Sequence, residues 1–145
     1  MAATLSAPAT ILAAASAGAA WEFRPWEGDF EVVVRHGSGG PRRRDGLLEL
    51  RSTSLTDDFT WLGPIPITTP ERTLIDLAAY LDEAELRRAV RDAVRLERTS
   101  LPALLAAMKR HHGRRGLSKL HAVTTRYASN VPHTTPYGGK RDVRA

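Results

Sequence analysis

Ile65-Pro66-Ile67-Thr68-Thr69-Pro70-Glu71-Arg72-Thr73-Leu74-Ile75-Asp76-Leu77-Ala78 holds the point at which the hydrophobic period of the chain changes from two to about three and a half. Thr69-Pro70-Glu71-Arg72 is a helix start. Threonine supplies an acceptor for a free backbone N–H, proline fixes φ where its missing N–H is not needed, and Glu71 sits at the positive end of the helix dipole. Leu74, Leu77, Ala78 and Leu81 then fall on one face. Upstream, Pro66 cannot donate a ladder hydrogen bond, so Ile65–Thr68 is expected as an edge strand or an extended connector. A strand-bearing half ends near Thr68 and a helical half follows, which specifies an α+β chain.

Toward the C-terminus, Asp82 can cap a second helix, with Leu86, Val90 and Ala93 on one side and Arg87, Arg91, Arg95 and Arg98 on another. A third helix follows Ser100 and carries Leu101, Leu104, Leu105 and Met108 until Gly113 stops it. Leu117, Leu120 and Val123 mark a short fourth over residues 116–127. Residues 128–145, with Pro132, Pro136, Gly138 and Gly139 and no apolar period, are expected as a flexible tail.

Toward the N-terminus, Asp58-Phe59-Thr60-Trp61-Leu62 alternates polar and apolar before the turn Gly63-Pro64. The runs Phe30–Arg35 and Gly46–Arg51 read as two strands joined by an exposed loop. Arg42, Arg43 and Arg44 in that loop form a solvated hairpin tip or a phosphate contact. Residues 6–20 are Ala-rich and predict a helix capped by Ser6, with Pro8 in its first turn. The whole reads as one domain over residues 1–127: an N-terminal helix, a small, mostly antiparallel sheet and a C-terminal helical half.

Composition narrows the function classes. Hydrophobic residues make up 42% of the 145, so a core can form. The absence of cysteine excludes disulfides, Cys-ligated metals and a thiol nucleophile, and suits a reducing, cytoplasmic setting. The opening residues lack the basic stretch of a secretory signal, and no run reaches the roughly 18 to 20 apolar residues of a membrane span. A net charge of +5 favours an acidic partner.

Chemistry-bearing patterns are few. His36, His111, His112, His121 and His133 show no metal-ligand spacing, and His111 and His112 are expected to interact with the free carbonyls at a helix C-terminus. The neighbouring pairs Asp57/Asp58 and Glu83/Glu85 read as cap and surface residues. Arg72 and Asp76, four apart, are expected to pair on a helix surface. No acid-and-lysine nuclease triple, nucleophile elbow or phosphate loop is present. No catalytic, metal or cofactor site is therefore expected. Residues 83–127 hold eleven Lys or Arg against four acids, which is either an ordinary solvated helical surface or a docking face for phosphates or an acidic protein.

The stretch Gly63–Ala78 resembles the AbiEi-type antitoxin and regulator family of actinobacterial type IV toxin–antitoxin systems. The resemblance extends loosely over residues 5–127, through Glu31–Val34, Arg51-Ser52 and Gly113-Arg114-Arg115-Gly116. It implies the middle module alone, without the winged helix that precedes it in full-length relatives or the endonuclease-like domain, akin to very-short-patch repair enzymes, that follows in many. It further implies a bacterial, non-enzymatic antitoxin-like or regulatory module with a cognate toxin as partner. The expected contact residues are Arg87, Arg91, Arg95, Arg98, Arg114 and Arg115, and nucleic acid is expected to bind weakly and without sequence preference. The alternative is an inactive remnant of a larger endonuclease-fused protein.

Overall fold

The computed structural model describes residues 10–26, 30–34, 42–44, 47–51 and 58–130, with side chains described at 10–26, 31–32 and 58–130. The elements in chain order are β1 (Thr10–Leu12), α1 (Ala14–Ala20), β2 (Phe30–Val34), β3 (Arg42–Arg44), β4 (Leu47–Arg51), β5 (Phe59–Leu62), β6 (Ile65–Thr68), α2 (Pro70–Leu77), α3 (Glu83–Arg95), α4 (Leu101–Arg110) and α5 (Leu117–Asn130). The fold is α+β, and its six strands lie in the order β3-β4-β2-β1-β6-β5.

The sheet is mixed. β1–β2, β3–β4 and β5–β6 pair antiparallel, whereas β1–β6 and β2–β4 pair parallel. The two early strands are therefore not a hairpin. β2 and β4 run parallel in the register Phe30↔Leu47 to Val34↔Arg51, and the arginine run is itself a strand, Arg42–Arg44, set against Leu47–Glu49. β6 is also not at the edge, because it lies between β1 and β5. Pro66 is tolerated there because β1 meets β6 only at Leu12↔Ile67, so the ladder on that side asks nothing of Pro66.

The N-terminal helix starts at Ala14, later than its alanine content predicts, because Thr10-Ile11-Leu12 pairs with Val32–Val34 as strand β1. Tertiary pairing overrides local propensity here. The cap residue Ala13 has no side-chain acceptor. Glu31 takes over that role: its carboxylate accepts from the Ala15 N–H at 2.8 Å, and its own N–H donates to Ser16 Oγ at 2.7 Å. The expected cap, Ser6, and Pro8 lie outside the described residues.

The helical half follows its sequence signals closely. Thr69 Oγ1 accepts from the Arg72 N–H, Asp82 and Glu85 form a reciprocal capping box, and Ser100 Oγ accepts from the Ala103 N–H. Leu74, Leu77, Leu81, Leu86, Val90, Ala93, Leu104, Met108, Leu120 and Val123 enter one core with Ala17, Trp21, Phe23 and Ile67. Leu105 departs from its predicted face and is 40% exposed. α5 runs to Asn130, so 128–130 are helical, and the rest of the expected tail lies outside the described residues. No helix among the described residues is long and apolar enough to cross a membrane.

Candidate docking surface

α3 turns Leu86, Ala89, Val90 and Ala93 into the core and leaves Arg87, Arg88, Arg91 and Arg95 exposed. The stripe is tempered by Asp92, whose Oδ1 lies 3.5 Å from Arg91 Nε and 3.4 Å from Arg95 Nη2. Exposed pairs of this kind contribute about 0 to 1 kcal/mol, so both guanidinium groups remain available to another carboxylate.

Arg98 belongs to a different environment. After the C-cap Leu96, Glu97 adopts φ +60°, and the N–H groups of Glu97 and Arg98 donate back to the Val94 and Ala93 carbonyls. This Schellman closure reverses the chain. It sends the Arg98 guanidinium to the Trp21 carbonyl at 3.3 Å, to the Glu22 carboxylate at 2.8 Å and over the Trp21 ring, 5.7 Å from its centroid. Arg114 is likewise committed inward, with Nη2 2.8 Å from Asp76 Oδ1. Arg115 is exposed. Of the six expected contact residues, Arg87, Arg91 and Arg95 share one exposed face, whereas Arg98 and Arg114 already hold partners within the chain.

Beneath the surface lies an ionic network that local sequence signals miss. Arg72 is not a surface residue: it is 4% exposed, and its Nε reaches Asp76 Oδ1 at 2.9 Å while Nη1 reaches Asp58 Oδ2 at 3.1 Å. Asp58, 6% exposed, is no surface acid either. It accepts from Arg72, from His111 Nε2 at 2.8 Å and from Arg110 Nη2 at 3.5 Å. The His111 side chain thus bonds to a carboxylate rather than to helix-end carbonyls, and it reaches one because the end of α4 packs beside the start of β5. The network ties β5, α2 and the α4–α5 turn together, and breaking one partner of such a buried pair costs about 3 to 5 kcal/mol.

Burial, ahead of Arg72 and Arg114, holds the His111 imidazole below its ordinary pKa against the opposing pull of Asp58. A neutral imidazole on a carboxylate has the composition of a general base. The nearby threonine hydroxyls are occupied: Thr69 caps α2, and Thr73 bonds to Thr68 and to the Thr69 carbonyl. No group of three or more His, Asp or Glu among the described residues could hold a metal ion. Nothing in local spacing signals this cluster, because Asp58, Arg72 and His111 come from three separate elements.

Compared with known proteins, the chain has no match among the curated proteins and none among the solved structures. A family model, the AbiEi antitoxin C-terminal domain, matches residues 7–124, from before β1 into α5. That span includes the capped start of α2, the arginine-bearing α3 and the Gly113–Gly116 turn, so the chain belongs to the AbiEi antitoxin C-terminal domain family.

Proposed function

We propose that this chain is a non-enzymatic, cytoplasmic antitoxin-like or regulatory module, a single domain over residues 1–127, that binds the acidic face of a cognate toxin. The observation that carries this reading is the two-sided character of α3, with one face filled by Leu86, Ala89, Val90 and Ala93 and the other presenting Arg87, Arg91 and Arg95 at steps of four. Arg115 extends the set of outward cations. Planar guanidinium forks suit carboxylates, and because each exposed pair is weak, the gain lies in steering encounter and orientation. The same cations give duplex DNA weak, sequence-independent and salt-sensitive binding, since phosphate contacts carry no base information.

The test is charge reversal. Arg91→Glu with Arg95→Glu should lower the association rate with a partner recovered from the source cell by at least about tenfold at low ionic strength, and should flatten its salt dependence. The melting temperature should stay close to that of the parent, because both side chains are exposed. Equal association rates for parent and variant would overturn the reading.

A further inference from the structure

A groove of about 550 Å³ lies between α4 and α5. Leu105, Met108 and Leu117 supply its apolar surface, Lys109, His112 and Arg114 supply basic side chains, and none of its lining residues is acidic. Two details separate it from an ordinary interhelical crevice. Leu105 occupies a position whose helical period predicts core, yet α4 buries Leu104, Ala107 and Met108 and leaves Leu105 standing at the groove wall. The second is its charge: exposed Lys109 and His112 stand beside Arg114, and no acidic residue lines the groove to answer them.

We infer that this groove is a second docking site, for an acidic segment of a partner protein that seats one large apolar side chain among Leu105, Met108 and Leu117 and sets carboxylates toward Lys109 and Arg114. The volume falls within the roughly 300 to 1,000 Å³ of sites that enclose a compact ligand group, with apolar walls and a few polar anchors. Charge selects the occupant. Residues 131–145 carry Lys140, Arg141 and Arg144 against Asp142 alone, so the chain's own end has the wrong sign. A nucleic-acid backbone would engage Lys109 and Arg114 but leave the apolar wall wet. The site stands on the composition of the groove and is independent of the α3 stripe.

Methyl- and amide-detected NMR titration of the full chain tests it, with two capped octapeptides as probes. Each contains two leucines and one phenylalanine, and the remaining five residues are all glutamate in one and all lysine in the other. The glutamate peptide should shift the Leu105, Met108 and Leu117 methyl signals and the Gly113 amide, saturating with a Kd below about 1 mM. The lysine peptide should leave them in place. Lys109→Glu, at an exposed position, should weaken the glutamate peptide by at least about tenfold, and Leu105→Asp should do the same. If Leu105→Asp fails to fold, Lys109→Glu carries the comparison alone. Arg91→Glu with Arg95→Glu should not alter the titration, which separates this groove from the α3 face. Equal response to both peptides, no saturable response to the glutamate peptide, or stronger perturbation of the same methyls by duplex DNA would overturn the inference.

Discussion

His111 is the residue through which pH reaches the fold. Burial holds its pKa below the ordinary 6.5, with Arg72 and Arg114 adding to the effect and Asp58 opposing it. In the window beneath 6.5 the unfolded chain binds more protons than the folded one, so stability is full above that value and falls as pH drops toward the folded pKa. Between pH 7.5 and 5.5 the parent should therefore lose more melting temperature than His111→Gln does. Equal losses in the two scans would mean that His111 titrates no differently folded or unfolded. Two glycines of the neighbouring turn make a second residue-level case. Gly113 and Gly116 both have left-handed backbones, at φ +87° and +83°. A Cβ at Gly113 would meet open space, whereas one at Gly116 would stand 2.2 Å from the Ala78 carbonyl oxygen. Gly113→Ala should therefore cost only the left-handed penalty of about 1 to 2 kcal/mol. Gly116→Ala must also push α5 off the end of α2, and should cost about 2 kcal/mol more in urea unfolding. Similar costs at the two positions would contradict the close approach.

At the scale of elements, α2 is the piece against which the others are laid: it packs on α1, α3, α4 and α5. Leu77 is buried on its inner face beside Gly18 of α1, and Leu77→Ala should cost about 2 to 5 kcal/mol, read as a lowered denaturation midpoint. An unchanged midpoint would mean that the face has been misassigned. This element also shows which information is local. The starts of α2, α3 and α4 are legible in the sequence because Thr69, Asp82 and Ser100 bond to N–H groups within three residues of themselves. The arginine stripe of α3 is legible for the same reason, since a helical period needs no knowledge of the rest of the chain. β1 is illegible because its extended form depends on Val32–Val34, and its alanine-rich surroundings favour helix until that pairing is made. The parallel course of β2 and β4, the interior place of β6 and the Asp58–Arg72–His111 cluster are all set by contacts between residues far apart in sequence. Leu105 departs from its expected face for the opposite reason: a period of three to four predicts a stripe wider than the neighbouring helices cover.

For the whole molecule, the eleven cations against four acids within 83–127 give the helical half a positive long-range field. The sheet half is built on a different plan, with β1 between β2 and β6 and touching β6 at the single pair Leu12↔Ile67. That placement bears on the order of assembly. As the chain leaves the ribosome, Thr10–Leu12 emerges before any strand with which it pairs. Val32–Val34 becomes available first, while Ile67 arrives only after β3, β4 and β5 have been synthesised. The helices from α2 onward close shorter loops among sequence neighbours, and such contacts form faster than those that must bring distant segments together. Closure of the six-stranded sheet across the β1–β6 seam therefore waits until Ile67 has been translated, whereas the β1–β2 pairing needs no residue beyond Val34.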